Sequence, residues 1–339
     1  MTKKNFKVII PVAGIGSRLR PHTHTQPKAL VPVAGKPILS HIIENLMEAG
    51  IHDFIFIIGY LGDKVESYIT EKYPDLNTRF IVQEPREGIA HAVWSARMEV
   101  TDQDDLLIVL GDTIFDVNLK DILNLPISSL GLKRVDDPRH FGVAELNTDG
   151  FIQHLSEKPL VPTSNLALVG IYLIKEATML MESIDYLISN NLRTQNDFHL
   201  TDALMRMIDQ GVKMGTFPVE NWYDCGSKEN LLETNAILLK RYPPEPFCEH
   251  ANPASNNIVI QPVRIAANCK ITNSIIGPNV SIGENTIITS SILGDCIIGS
   301  YSQLENAVLH QSVIGNDASL KGLSQSLNIG DNTEIDFSS

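Results

Sequence analysis

Between residues 251 and 339 aliphatic side chains return every six positions: Ile276, Ile282 and Ile288, then Ile298 and Leu304, then Ile314 and Leu320, then Ile329 and Ile335. A helix repeats every 3.6 residues and a lone strand every two. A period of six therefore marks a longer unit. Gly277, Gly283, Gly299, Gly315 and Gly330 each follow one of these aliphatics directly. This pattern predicts a hexapeptide β-helix, in which each hexad forms one side of a triangular coil and its aliphatic residue points inward onto the coil below. The stretch also holds eleven Asn and only two aromatics, Tyr301 and Phe337. Phase breaks between 288 and 298 and between 304 and 314 are expected to be loops or bulged corners. Such a repeat says much about fold and little about chemistry.

The preceding 240 residues read differently. Short apolar runs alternate with amphipathic stretches, as in an α/β layer fold. Strands are expected over 7–13, 54–58, 79–82 and 106–110, and helices over 38–49, 63–72 and 89–98. In open α/β sheets ligands bind beyond the carboxyl ends of the strands, which directs attention to the residues after 13, 82 and 110. Pro243-Pro244-Glu245-Pro246 interrupts the alternation and reads as a linker. The chain is thus expected to divide into residues 1–242, a linker over 243–252, and the β-helix over 253–339.

Forty acidic against 27 basic residues give a formal net charge of −13, which argues against nucleic acid or an anionic membrane as the main partner. An anionic ligand would need a local basic patch. One exists: Lys3, Lys4, Lys7, Arg18, Arg20, Lys28 and Lys36 precede the first carboxylate, Glu44. Cys225, Cys248, Cys269 and Cys296 form no Cys-x-x-Cys pair and are too sparse for a disulfide framework, which suits a reducing cytoplasm. The apolar run Val8-Ile9-Ile10 before Pro11 is too short for a signal-peptide core, and no run approaches the ~18 residues of a membrane span.

The expected first strand delivers the chain into Val12-Ala13-Gly14-Ile15-Gly16-Ser17-Arg18-Leu19-Arg20-Pro21. Glycines there allow backbone N–H groups to approach a phosphate closely. Leu19 occupies the third glycine position of a dinucleotide fingerprint, and no Gly-Lys-Ser/Thr follows as in a P-loop. Pro27-Lys28 and Gly35-Lys36-Pro37 come next. With these residues the chain resembles the sugar-nucleotide pyrophosphorylases, the nucleoside triphosphate:sugar-1-phosphate nucleotidyltransferases. The resemblance continues in order through Gln83-Glu84-Pro85, Gly88 to Ala92, Gly111-Asp112, Phe141-Gly142-Val143, Glu157-Lys158-Pro159, Ser164-Asn165, Gly170-Ile171-Tyr172, Leu200-Thr201-Asp202 and Trp222 to Gly226.

The resemblance implies an α/β fold: a Rossmann-like nucleotidyltransferase domain with a mixed central sheet, followed by a left-handed parallel β-helix. It implies attack of a sugar-1-phosphate oxygen on the α-phosphorus of a nucleoside triphosphate, with release of pyrophosphate. The nucleophile is already ionised, so the protein's task is to hold two repelling anions in line. By residue, the resemblance gives Arg18 and Lys28 as the catalytic cations. It places Ala13, Gly14, Gly16, Ser17, Gln83, Gly88 and Asp112 at the nucleotide, with the Gln83 carboxamide suited to the paired edge of uracil or thymine. Gly142, Glu157, Lys158, Asn165, Gly170 and Tyr172 would line the sugar-phosphate pocket, and Asp112 and Asp224 would hold Mg²⁺. Asp112 and Asp224 each also fit a turn or helix-cap reading, and Glu157 with Lys158 an exposed ion pair. Asp197 and Asp202 read as structural, as helix caps around Phe198 to Met207.

The segment Gly88 to Trp94 is closest to thymidylyl and uridylyl members. The expected reaction is therefore glucose-1-phosphate with dTTP to dTDP-glucose, against uridylyl transfer from UTP, guanylyl transfer to mannose-1-phosphate, or a silent sugar-nucleotide sensor. Two departures bear on the nucleotide: the first loop lacks one glycine and carries Ser17 for Thr, and Phe198-His199 stands before Leu200 in place of an acidic residue. The β-helix is expected to be an oligomerisation or regulatory appendage of a cytoplasmic homo-oligomer. The rival reading is an acyltransferase with His310 as base.

Overall fold

The computed structural model describes residues 5–241, 256–322, 324–325 and 327–336. The expected linker, 243–252, lies outside them. Contacts group the chain into two compact units, Met1–Gly14 with Ile42–Trp222, and Ile15–His41 with Tyr223–Ser339.

The first unit is built on a mixed sheet of nine strands: β1 (Asn5–Pro11), β2 (Asp53–Ile58), β3 (Asn77–Val82), β4 (Asp104–Val109), β5 (Ser129–Arg134), β6 (Gly142–Leu146), β7 (Ile152–Glu157), β8 (Leu166–Ile174) and β9 (Gly215–Pro218). The spatial order is β7-β6-β8-β4-β1-β2-β3, with β5 pairing β8 and β9. β4, β1, β2 and β3 run parallel, whereas β8 is antiparallel to β4, β5 and β6. The unit also contains helices Gly62–Lys72 (α1), Ile89–Ser95 (α2), Ala177–Ser189 (α3) and Leu200–Asp209 (α4). Central strands are apolar throughout because both faces are covered: Val8, Ile9 and Ile10 are fully buried between Phe54 to Ile57 and Leu106 to Val109. The chain leaves β1 toward β2 on one side while β4 lies on the other. This reversal of strand order is where open α/β sheets bind ligands.

The second unit contains helix Lys228–Arg241 (α5) and the C-terminal strands. Those strands form three parallel five-stranded sheets, the three walls of a left-handed β-helix. Ile276 stacks on Leu293 and Leu293 on Leu309 along one wall; Ile282, Ile298, Ile314 and Ile329 stack along the second; Ile288, Leu304, Leu320 and Ile335 along the third. The phase breaks are not loops. Leu293 and Leu309, both inside the core, occupy them as strand residues of Ile292–Gly294 and Val308–His310. Successive coils advance 17, 16 and, at the last turn, 15 residues, as in Ile275 to Ile292, Ile292 to Val308 and Ile314 to Ile329, so some sides advance five residues or fewer and the six-residue count slips while the stacking persists. The Asn content also has a structural cause. Asn268, Asn273, Asn279, Asn285, Asn306 and Asn332 all sit at corners with positive φ, a conformation Asn tolerates better than other non-glycine residues.

Leu309 is buried among aliphatics of neighbouring coils. Leu309→Ala is expected to lower stability by about 2–5 kcal/mol through lost transfer energy and a residual cavity, measured as a shifted urea midpoint at unchanged slope.

Candidate active site

In the first unit, the residues expected at the nucleotide follow the parallel strands. Ala13 and Gly14 leave β1, and Gly111-Asp112 leave β4 beside them: Gly111 N–H donates to Pro11 O at 3.3 Å. A Cβ on Gly111 would lie 2.3 Å from Val12 Cγ1, so only glycine lets the two chain exits run this close. Asp112 is half-buried in the turn after β4, and its Oδ1 accepts from Thr113 Oγ1 at 3.2 Å. Gln83 follows β3 and is buried. Its Nε2 donates to Gly88 O at 3.0 Å and to His91 Nδ1 at 3.2 Å. Gly88 has φ 101°, and a Cβ there would fall 2.5 Å from Phe198 O; Phe198 N–H donates to Glu87 O at 2.9 Å and Ala90 N–H donates to Phe198 O at 3.0 Å. The 87–90 turn is thus fixed to the segment before α4.

A second cluster forms around Glu157, at the end of β7. Thr201 Oγ1 donates to Glu157 Oε2 at 2.6 Å, Lys158 Nζ is 3.7 Å and His199 Nδ1 3.5 Å from Glu157 Oε1. Gly142 forms the wall, since a Cβ there would approach Glu157 Oε2 to 3.1 Å and Thr201 Oγ1 to 3.2 Å. Lys158 is held at φ 42°, with its N–H donating to Phe141 O at 3.0 Å; a non-glycine residue in this region is uncommon and marks an over-determined turn. Gly170 allows β8 to bulge against Leu110. Tyr172, just beyond it, is buried, and burial together with the Glu157 and Asp112 carboxylates raises its phenol well above the ordinary value. Its hydroxyl stays a donor. Asn165, by contrast, is exposed at the start of β8, where its Oδ1 accepts from Arg134 Nη1 at 2.9 Å.

The cations lie in the second unit. Gly16, at φ 66°, turns the chain into the Ser17–Leu19 helical turn, leaving Ser17 and Arg18 exposed. A Cβ on Gly16 would meet Lys28 Cβ at 2.9 Å, and Thr23 Oγ1 donates to Gly16 O at 2.8 Å. The glycine loop and the Lys28 turn therefore pack directly on each other. Arg18 and Asp224 meet over Gly226, where a Cβ would lie 2.9 Å from Arg18 Nη2 and 2.8 Å from Asp224 Oδ1.

The sequence profile of the nucleotidyl transferase family matches residues 7–241. The chain belongs to this family. Over 94% of its length it is 30% identical to a glucose-1-phosphate thymidylyltransferase of Streptomyces griseus, covering 89% of that protein. Over 81% of its length it is 34% identical to one of Streptomyces antibioticus, covering 77% of it. It is also 35% identical to the bifunctional protein GlmU of Methanococcus vannielii, over 70% of this chain and 56% of that one. A solved Bacillus anthracis structure, described as a glucose-1-phosphate thymidylyltransferase in complex with sucrose, superposes with TM-score 0.59 at 29% identity, over 68% of this chain and 94% of that chain. A UDP-glucose pyrophosphorylase complexed with UDP-glucose shares the fold, with TM-score 0.61 at 23% identity over 70% of this chain and 100% of that one. In this family the reaction class is nucleotidyl transfer in nucleotide-sugar synthesis. Among the described residues no helix is long and apolar enough to cross a membrane.

The sequence motifs assign no role to Thr201 or His199, yet both touch the Glu157 carboxylate. The Leu-Thr-Asp block was a usable signal for Thr201. His199, the departure from an acidic residue, had none. Its Nε2 is buried and, among the described residues, without a hydrogen-bond partner, a costly state unless a ligand completes it. Asp202, in the first turn of α4, has its carboxyl raised by burial. Burial likewise pulls the His91 imidazole below the ordinary value of 6.5, in keeping with a neutral ring whose Nδ1 accepts from Gln83. A folded value below the unfolded one means that the unfolded chain takes up the proton first, so this contribution is complete above ~6.5 and lost as pH falls toward the folded value. His91→Gln is expected to lose less stability than the unmodified chain between about pH 7.5 and about pH 5.5, measured as the change in urea midpoint.

Proposed function

We propose that this protein is a glucose-1-phosphate thymidylyltransferase, forming dTDP-glucose and pyrophosphate from glucose-1-phosphate and dTTP. The observation that carries this reading is the Glu157 cluster. A carboxylate braced by Thr201 suits sugar hydroxyls, and a lysine ammonium 3.7 Å from it suits the sugar's phosphate. Support for the thymidylyl assignment comes from the two Streptomyces relatives, named for that activity and similar over most of their length.

In this reading Arg18 offers its planar fork to triphosphate oxygens and Lys28 a point charge at the α-phosphate. Ala13, Gly14, Gly16 and Ser17 bring backbone N–H groups to the phosphates. Gln83 acts on the base mainly by shaping the Gly88 turn, because its Nε2 is already committed to Gly88 O and His91. Gly142, Glu157, Lys158, Asn165, Gly170 and Tyr172 form the sugar-phosphate side, with Tyr172 donating as a neutral phenol. The attacking phosphate oxygen is ionised, so no side chain is needed as a base and catalysis consists of alignment and charge neutralisation.

A divalent metal belongs to this family's chemistry. The donor set here suits Mg²⁺. Asp112 is a partly exposed hard oxygen ligand, and among the described residues no three His, Cys, Asp or Glu side chains gather into a metal cage. Mg²⁺ typically takes one or two carboxylates, substrate phosphates and water. Asp112 and Asp224 are the proposed ligands; bound there, the ion would neutralise charge on the departing pyrophosphate. We assign the nucleotidyltransferase domain to 1–242, the linker to 243–252 and the β-helix to 253–339, in a cytoplasmic homo-oligomer.

Pyrophosphate release across five nucleoside triphosphates and several sugar-1-phosphates tests the reading. The highest kcat/KM is expected for dTTP with glucose-1-phosphate, and silence throughout with Mg²⁺ present would overturn it. Lys28→Ala is expected to lower kcat by about 100-fold or more, in the range for loss of one transition-state charge contact. Thr201→Val is expected to raise KM for glucose-1-phosphate by about tenfold, the loss of one charge-assisted hydrogen bond, with KM for dTTP unchanged.

A further inference from the structure

The loop that carries both cations clusters with the β-helix: Ile15–His41 and Tyr223–Ser339 form one compact unit. At one corner of the coils the backbones stack through a glycine column. A Cβ on Gly299 would lie 2.4 Å from Gly315 C, and one on Gly315 would lie 2.5 Å from Gly330 C. Above Gly330, the last glycine of this column, the neighbour is not another coil but Pro21 of the loop, 3.1 Å from an ideal Cβ.

Side chains fasten this layer on both sides of the proline. His22 Nε2 bonds Asn328 Oδ1, and Thr25 Oγ1 donates to Asp331 Oδ2. Asn328 Nδ2 donates to Arg20 O at 3.4 Å. His22 is buried, and burial keeps its ring below the ordinary histidine value, so it serves here as a neutral N–H donor. Asp331 is itself built into the coil, accepting from Asn316 N–H at 2.7 Å. The far end of the loop is anchored as well. Ala34 N–H donates to Asn235 Oδ1 at 2.8 Å, and Ser281 Oγ donates to the same oxygen at 2.9 Å. Gly35 lies against Arg264, whose Cδ would be 2.4 Å from a Cβ at that position.

Arg18 precedes the first anchored residue, Arg20, by two positions, and Lys28 follows Thr25 by three. A long cationic side chain placed by a free loop must give up backbone as well as rotamer freedom when it binds; one placed by a braced loop has lost the backbone part already. We propose that the terminal coil of the β-helix positions the triphosphate-binding cations, with Asn328 and Asp331 as positioning residues acting through His22, Thr25 and Arg20. This rests on the reading that Arg18 and Lys28 bind the triphosphate. The β-helix is then a working part of nucleotide binding and not a detached appendage. A coil end needs covering in any repeat architecture, so covering alone is the rival role, and kinetics separates the two.

The experiment uses the full chain with Mg²⁺, reading dTTP affinity by calorimetry and steady-state kinetics for both substrates. Asn328→Ala, Asp331→Ala and Thr25→Val are expected to weaken dTTP binding and lower kcat/KM for dTTP by about tenfold each. KM for glucose-1-phosphate should stay within about twofold, because the Glu157 cluster is untouched. Thr25→Val leaves the coil intact, so it reads out even if an Asp331 variant folds poorly. Thr25→Ser, which keeps the hydroxyl donor, should restore dTTP affinity. Leu309→Ala, a core cavity elsewhere in the coils, should lower the melting temperature at least as much while dTTP affinity stays unchanged. Unaltered dTTP affinity in Asn328→Ala and Thr25→Val, beside a large loss in Lys28→Ala, would overturn the positioning role alone. Activity intact in Lys28→Ala would overturn the triphosphate reading, and this proposal with it.

Discussion

The second unit depends on one buried carboxamide. Asn235, in the middle of α5, is fully enclosed. Its Oδ1 accepts from Ala34 N–H and Ser281 Oγ, and its Nδ2 donates to Asn279 O at 3.0 Å. One side chain thereby joins the cation loop, the helix and the second coil of the β-helix. A buried amide with its oxygen doubly engaged stabilises modestly, but removing it would leave two donors unsatisfied, each costing about 1–3 kcal/mol. A polar contact also demands a single geometry, which apolar packing does not. The hydrophobic stacks make the β-helix stable; Asn235 sets where the loop lies upon it.

Electrostatics follows the same division. The chain carries a net charge of −13, yet no acidic residue appears before Glu44. The loop of Arg18 and Lys28 is therefore locally basic within an acidic protein, which suits one small polyanion and disfavours extended ones. The Glu157 cluster is organised differently. Its central group is a carboxylate, Glu157, with Thr201, His199 and Lys158 arranged about it and Tyr172 held neutral nearby. The Arg18–Lys28 loop presents cations, whereas the Glu157 cluster presents a carboxylate with hydroxyl, imidazole and ammonium groups about it.

Much of the fold was legible in sequence because it is periodic. The apolar runs 54–58 and 106–110 became strands covered on both faces, and the six-residue aliphatic repeat became the stacked interior of the coils. The reading failed where periodicity is imperfect: Leu293 and Leu309 fill the supposed breaks because a coil of 15 to 17 residues takes five-residue steps. At the candidate site, glycines were informative, since Gly88, Gly111 and Gly142 occupy positions where a Cβ collides with backbone or side chain. Thr201 and His199 were missed because their relation to Glu157 spans more than forty residues and leaves no local pattern.

The sequence alone determined the repeating core, the family and the residues proposed for phosphate, because each of these is carried by local spacing or by short ordered motifs. Tertiary structure decided what those residues do to one another. It turned the Gln83 amide onto Gly88 and His91, set Asn165 against Arg134, and brought Asn328 and Asp331 to a loop some 306 residues earlier in the chain. Local sequence restricts backbone dihedrals and faces. Contacts between distant segments arise only when burial and hydrogen bonding select one packing of those segments, and no spacing within the sequence records that choice.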